Sequence, residues 1–184
     1  QFIKNYLQDF IELLKPNDDS VESLIQVRNL LLEVNSKKKK VLIFGNGGSA
    51  AIASHFSVDL TKNAKHKCLN FNEASLITCF ANDYGFEHWA AKAIDFYGNE
   101  GDLLIVISSS GQSENMLNAV KAARNCNFQS VITLSGFSED NPLKKLGDIN
   151  LWVNNKSYNF VENVHQIWLL TIVDLIIGSR EYSA

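Results

Sequence analysis

The chain has 184 residues with a formal net charge of −3; 46% of its residues are hydrophobic and 20% are charged. A chain of this length and composition is expected to form one soluble globular domain that buries its core without disulfide bonds. The charge balance argues against a general nucleic-acid-binding protein, which would present a basic surface.

Two helices are predicted before the first strand. Apolar side chains recur with a helical period over residues 2–14, and the polar segment from Pro16 breaks that pattern. Ser20 is then expected to open a second helix that runs to about Asn35. Because this helical pair has no obvious role in a lone α/β domain, we expect its apolar stripe to pack against a second copy of the chain.

Strands and helices alternate over the rest of the chain. The predicted strands are 40–44, 68–71, 102–107, 130–134 and 149–153. The predicted helices are one that follows loop 45–49 and runs to about residue 63, then about 86–97, 113–126 and 158–178, with a short helical piece after Asn141 and an ambiguous stretch over 73–82. This alternation implies a parallel sheet with helices on both faces.

Two composition features bear on the location of the protein. The apolar stretch 167–177 is interrupted by Asp174 and is too short to span a bilayer, so we expect a buried helix and no membrane anchor there. Cys68, Cys79 and Cys126 are odd in number and widely spaced, which favours reduced thiols in a cytoplasmic protein over a metal cluster.

Two strands end abruptly in small polar residues, in the sequences VLIFGNGGS (41–49) and LLIVISSSG (103–111). A strand, a tight loop and a helix N-terminus together form an anion pocket, because free backbone N–H groups and the positive helix end face the ligand. The first loop matches neither a dinucleotide fingerprint nor a Walker loop. It presents the Asn46 amide and the Ser49 hydroxyl beside Gly47, for phosphate or sugar oxygens, or it is a purely structural turn.

The second loop carries four hydroxyls, at Ser108, Ser109, Ser110 and Ser113. Capping the following helix requires one serine, whereas a phosphate monoester requires several donors that converge on its oxygens. The pattern therefore favours a phosphate site over a capping segment.

Ionisable groups recur at helical spacing on two predicted helices. His55 and Asp59 lie four residues apart, and Glu162 and His165 lie three apart. Together they would hold a divalent metal or transfer protons, or they form ordinary surface contacts. The pair at 82–83 (Asn-Asp) lies in a polar break that either lines a ligand crevice or makes a turn.

Several motifs occur in the order seen in one protein superfamily. They are GNGGS (45–49), His55-Phe56, NDYGF (82–86), Gly101-Asp102, ISSSG (107–111) and Glu162-Asn163-Val164-His165. The chain resembles the sugar isomerase (SIS) domain superfamily, and within it the phosphoheptose isomerase group, which interconverts sedoheptulose 7-phosphate and a heptose 7-phosphate.

The resemblance implies a three-layer, doubly wound α/β fold with a five-stranded parallel sheet flanked by helices and preceded by a helical pair. It implies one SIS domain over 1–184, in which residues 1–36 serve oligomerisation and residues 40–180 form the phosphosugar-binding core. The assembly is expected to be a homotetramer with sites between subunits.

The resemblance also implies roles for individual residues. The phosphate-binding serines of the family fall on Ser49, Ser108, Ser109, Ser110 and Ser113, and a residue that contacts sugar hydroxyls falls on Asp83. Zinc, where family members hold it, is bound at positions that here carry His55, Asp59, Glu162 and Leu170. The family has Glu, Gln and His at the last three of these positions, so this chain departs from it there.

In the family's isomerases, the Glu and His that fall here on Asp59 and Leu170 are the pair that transfers protons. Both members of this pair are therefore altered in the chain. An aspartate at 59 is one methylene shorter than the family's glutamate, and a misplacement of about 1 Å can cost 100-fold in rate. Leu170 can neither transfer a proton nor bind a metal. A zinc site made of His55, Asp59 and Glu162 would lack its fourth protein ligand.

The first hypothesis is a cytoplasmic phosphosugar aldose–ketose isomerase that serves lipopolysaccharide or capsule synthesis. In it, the serine loop holds the phosphate, Asp83 and Asn46 position hydroxyls, and Asp59 acts as the base with His55 or Glu162 assisting. The alternatives are a non-catalytic phosphosugar-binding module that acts as a sensor or protein partner, and an enzyme for a different phosphosugar with a rearranged acid–base pair.

Overall fold

Apolar strands form an all-parallel five-stranded sheet in a computed structural model that describes residues 1–181. The strands are β1 (Val41–Gly45), β2 (Cys68–Asn70), β3 (Leu103–Ser108), β4 (Ser130–Ser135) and β5 (Ile149–Trp152). Every residue of β1, β3 and β4 is buried, as expected where helices cover both faces of a parallel sheet.

Helices cover both faces of this sheet and precede it. They are α1 (Phe2–Leu14), α2 (Asp18–Ser36), α3 (Gly48–Lys62), α4 (Ala74–Tyr84), α5 (Trp89–Tyr97), α6 (Glu114–Asn125), α7 (Pro142–Leu146) and α8 (Tyr158–Ile177). On one face, α2, α3 and α8 bury side chains such as Leu31, Phe56 and Leu169. On the other face, α5 and α6 bury side chains such as Trp89 and Met116.

The strand order creates a crevice at the carboxyl edge of the sheet. The order is β2-β1-β3-β4-β5, so the chain leaves β1 toward one side and later returns to pair β3 with the other side of β1. In this register Gly45 lies beside Ile107, at the ends of their strands. Open α/β sheets bind ligands at such a switch point, because the loops that leave the two strands diverge there.

The predicted α/β architecture is confirmed, with three local differences. The ambiguous stretch 73–82 is helical and belongs to α4, whose N-cap Glu73 accepts hydrogen bonds from the Ser75 and Leu76 N–H groups. The helix expected to open at Ser20 begins at Asp18, because the Asn17 side chain accepts the Ser20 N–H in a capping box. The 82–83 pair, expected in a polar break, lies in the last turn of α4.

Two helices bear on the assembly and on the membrane question. No residue of α1 is buried, and its apolar side chains Phe2, Ile3, Leu7 and Ile11 are more than half exposed. Helix α8 is long and apolar enough to cross a membrane by length and composition, which is weak evidence, because a core helix passes the same test. It packs against α3 and contributes Leu169 and Ile172 to the core.

A buried ion pair ties β1 to β3. Asp102, 1% exposed, is paired with the ammonium group of Lys40, and it also accepts the N–H groups of Lys40 and Asn99. We expect Asp102→Ala to lower the free energy of unfolding by about 3 kcal/mol, because it leaves a mostly buried ammonium group and backbone donors unpaired. Urea denaturation measures the change.

The matched control is Asp95→Ala, which removes the pair between Lys92 and Asp95, both about 40% exposed. This change should cost less than about 1 kcal/mol. Equal losses in the two variants would contradict a structural role for the Lys40–Asp102 pair.

Candidate functional site

The loop after β1 turns the chain sharply into α3. Gly47 has a φ of +54°, a conformation that side chains disfavour, and α3 begins at the next residue. The turn directs the Asn46 side chain and the buried Ser49 toward the carboxyl ends of β1 and β3.

The loop after β3 presents its serines in the same crevice. Ser108 and Ser113 are joined through their hydroxyl oxygens at 3.0 Å, so Ser113 precedes α6 without capping it by its side chain. The Ser109 hydroxyl is buried and has no hydrogen-bond partner in the described part of the chain. A buried hydroxyl without a partner is costly, so this one indicates a ligand or ordered water at this point.

A pair of amides joins the two loops. The Asn46 amide donates to the Asn115 side-chain oxygen at 3.0 Å, and the Asn115 amide donates back at 2.9 Å. Asn115 is buried near the start of α6, where its oxygen also accepts the Met116 N–H. Asn46 was expected to bind sugar hydroxyls. Its amide oxygen and one of its N–H groups are instead hydrogen-bonded to Asn115, which joins the two loops.

These groups surround a pocket of about 110 Å³. It is lined by Asn46, Ser49, Ile107, Ser108, Ser109, Ser110, Ser113, Tyr158 and Glu162. The structure thus brings together all five predicted phosphate-binding serines. A larger cleft of about 520 Å³ lies between the N-terminal helices and β5, but none of these serines lines it.

Glu162 lies at the rim of the pocket, beside the start of α3. A methyl group on Gly48 would meet this carboxylate, so any other residue there would force the Glu162 side chain to move. Burial raises the pKa of the Glu162 carboxyl. This carboxyl is consequently the acidic group in the pocket that most readily holds a proton.

His55 and Asp59 form the predicted pair on α3. His55 Nε2 lies 3.3 Å from Asp59 Oδ2, and the imidazole side chain is 53% exposed. Gln166 of α8 contacts His55 Nδ1 at 2.8 Å. Because Gln166 follows Glu162 by four residues, the two side chains lie on one face of α8, about 6 Å apart along its axis.

The structure corrects the expected pairing of His165 with Glu162, and it places Asp83, whose expected contact with the sugar stays a prediction, away from the pocket. His165 is fully buried, its Nε2 lies 3.0 Å from the Ser135 carbonyl, and burial lowers its pKa to about 4, so it does not join Glu162 in a site. Asp83 is exposed and contacts Cys79 and Asn82, outside the residues that line the pocket.

The proposed zinc ligands do not converge in the described residues. His55 and Asp59 lie together, Glu162 lies beside Gly48, and no group of three His, Cys, Asp or Glu side chains within residues 1–181 could hold a metal ion. The residues present therefore do not form the site that the resemblance implies.

Sequence reasoning missed Asn115, Tyr158 and Gln166. Gln166 follows Glu162 by four residues, and this helical spacing could have predicted that the two side chains share a face. Asn115 follows Ser113 by two residues, a spacing that predicts no shared face. No pattern pointed to Tyr158, which reaches the pocket from the first turn of α8 and makes an edge-to-face contact with Phe137.

Comparison with known proteins places these features in context. The SIS domain family profile matches residues 5–136. A phosphoheptose isomerase of Fusobacterium nucleatum is 34% identical over 94% of this chain and 91% of its own length, and one of Helicobacter pylori is 33% identical over 90% and 88%. The phosphoheptose isomerase of Neisseria gonorrhoeae has a similar structure, with a TM-score of 0.88 and 30% identity over 95% of this chain and 97% of its own.

The environment of Glu162 predicts a pH-dependent stability. Folding raises the pKa of the Glu162 carboxyl, so this group lowers the stability of the fold wherever it is ionised in the folded protein. Below the pKa of the unfolded state the carboxyl is protonated in both states, and this loss of stability disappears. Glu162→Gln should therefore unfold at higher temperature than the wild type at neutral pH, and the difference should vanish in acid. Calorimetry across pH measures it.

Glu100→Gln, at an exposed loop position, corrects for the loss of one formal charge. A Glu162→Gln variant that is less stable than the wild type at neutral pH would contradict the desolvation of this carboxyl.

Proposed function

The chain belongs to the SIS domain family, and on that premise we propose that it is a phosphosugar aldose–ketose isomerase of the phosphoheptose isomerase type. The substrate class is a seven-carbon sugar phosphate such as sedoheptulose 7-phosphate. Relatives that bear the isomerase name match almost the whole chain, which supports this activity over a phosphosugar-binding module without catalysis.

The observation that carries the proposal is the unpartnered Ser109 hydroxyl within a ring of serines. The N-termini of α3 and α6 open at this ring, so backbone N–H groups and positive helix ends favour an anion there. None of the nine described residues that line the pocket is Lys or Arg. A phosphate monoester would therefore be held by hydroxyls and helix ends rather than by a fixed cation.

The groove between α3 and α8 would receive the rest of the sugar. Glu162 lines the phosphate pocket, and Gln166, one turn further along α8, contacts the His55 of the His55–Asp59 pair. With the phosphate at one end, the carbonyl end of an extended sugar reaches toward this pair.

Isomerisation requires a base that removes a proton from the carbon beside the carbonyl, and an acid that protonates the carbonyl oxygen to give an enediol. We assign the base to Asp59 and the acid to Glu162, with His55 orienting the Asp59 carboxylate. Burial already favours the protonated form of Glu162, and a bound phosphate dianion would favour it further. In the second half of the reaction, the protonated Asp59 gives its proton to the former carbonyl carbon. The ionised Glu162 removes the hydroxyl proton of the first carbon, which becomes the new carbonyl. Both residues regain their starting protonation states, so no proton is consumed.

Further parts of the proposal concern the assembly and the cell. The exposed apolar side chains of α1, among them Phe2, Ile3 and Leu7, support burial against other copies, in the homotetramer expected for this family.

Asp83 is retained as a proposed contact of the sugar hydroxyls. A cytoplasmic location and a role in lipopolysaccharide or capsule synthesis fit a phosphorylated sugar substrate. Zinc is not used in any step assigned here.

Solvent exchange tests the activity directly. Incubation with sedoheptulose 7-phosphate in deuterated water should place deuterium at C1 or C2, and Asp59→Asn should slow this exchange by about 100-fold or more while substrate still binds. Mass spectrometry measures the exchange and calorimetry the binding. Tight binding without any exchange by the wild type would overturn the isomerase and favour the non-catalytic module.

The phosphate assignment has a separate test. Ser110→Ala combined with Ser113→Ala should weaken phosphosugar binding by about 100-fold or more, because each hydroxyl lost removes a hydrogen bond to a charged group. Ser23→Ala combined with Ser36→Ala, on the exposed part of α2, is the control. Unchanged affinity in the Ser110 and Ser113 variant would eliminate this site.

A further inference from the structure

One hydrogen bond connects α8 to the His55–Asp59 pair on α3. Gln166 Nε2 lies 2.8 Å from His55 Nδ1, and His55 Nε2 lies 3.3 Å from Asp59 Oδ2. Both ring nitrogens of an imidazole that is 53% exposed therefore have protein partners. An exposed histidine that is held from both sides is oriented for a purpose other than packing.

The chemistry of the partners assigns the proton. An ionised Asp59 only accepts hydrogen bonds, so a hydrogen on the imidazole nitrogen that lies 3.3 Å from Asp59 Oδ2 suits this contact. A neutral imidazole carries one proton, which leaves a lone pair on Nδ1 that only a donor can satisfy. The Gln166 amide nitrogen is such a donor, and all three residues agree on the tautomer with the proton on Nε2.

The same arrangement disfavours a metal ion. A metal would need a ring nitrogen with a free lone pair, together with further ligands. Leu170 lies one turn beyond Gln166 and offers none, whereas Glu162 lies one turn before it, beside Gly48. Within residues 1–181, no group of three His, Cys, Asp or Glu side chains could hold a metal ion, and the amide of Gln166 already occupies Nδ1 of His55.

We propose that Gln166 is a positioning residue that holds His55 in the Nε2–H tautomer, so that the imidazole orients Asp59 for proton transfer without a metal ion. The catalytic part of this inference rests on the proposed isomerase. The imidazole lies 3.3 Å from one oxygen of the Asp59 carboxylate, and we assign to this carboxylate the acceptance of a proton from the substrate. The contact with His55 thereby restrains a carboxylate that is mounted on a short side chain.

Nuclear magnetic resonance of the wild-type protein tests the tautomer without substrate. Long-range ¹H–¹⁵N correlation at a pH where the ring is neutral should show a protonated Nε2 and an unprotonated Nδ1 for His55, assigned by loss of its signals in His55→Gln. The opposite tautomer would mean that the Gln166 amide is reversed and accepts from Nδ1, and would overturn the inference. Failure of the isomerase proposal would leave this result unaffected.

Zinc provides the second measurement. After dialysis with chelator or with zinc ions, the wild type should retain no stoichiometric zinc, and its His55 signals should be the same in both samples. Its rate of deuterium exchange should also be equal in both. Stoichiometric zinc that shifts the His55 nitrogens would overturn the metal-free dyad.

Variants of Gln166 test the positioning role. Gln166→Leu should lower kcat about fivefold with KM unchanged, because the loss of one hydrogen bond loosens the ring. Gln26→Leu is the matched control on α2, where the amide contacts only Glu22 of the same helix. A wild-type kcat in Gln166→Leu would contradict the role.

Discussion

The parallel pairing of β1 with β3 is the constraint on which the rest of the site depends. Because the two strands run side by side and end next to each other, at Gly45 and Ser108, the loops that leave them start at one edge of the sheet and diverge to opposite faces. The Asn46–Asn115 amide pair closes this gap with two reciprocal hydrogen bonds. An unpaired buried amide costs about 1–3 kcal/mol, so each asparagine requires the other.

Two opposite electrostatic demands meet in the pocket. Hydroxyls and helix N-termini attract an anion, whereas Glu162 at the rim would repel it if ionised. Burial raises the pKa of this carboxyl, which lessens the conflict and favours the form that donates a proton. The absence of a lysine or arginine among the described lining residues is consistent with this balance, because a nearby cation would favour the ionised carboxylate.

The groove between α3 and α8 separates ligand binding from proton transfer. Glu162 lies against Gly48 beside the phosphate pocket, and Gln166, one turn further along α8, contacts His55. At this second point the side chains form a hydrogen-bonded and ion-paired set, with the apolar Leu170 one turn beyond it. The described geometry is that of a carboxylate oriented by an imidazole.

The sequence alone determined the α/β architecture, the two loops after β1 and β3, and the pairing of His55 with Asp59, because these depend on apolar periodicity, small residues and helical spacing. Local rules failed where packing decided the outcome. The 82–83 pair lies within helix α4 and not in a loop, and His165 faces the Ser135 carbonyl in the core. Only the tertiary structure showed that Asn115 holds Asn46 and that Gln166 reaches His55, because these partners are 69 and 111 residues apart. Contacts between distant segments depend on how the helices pack on the sheet. Residue spacing within one helix carries no information about this packing.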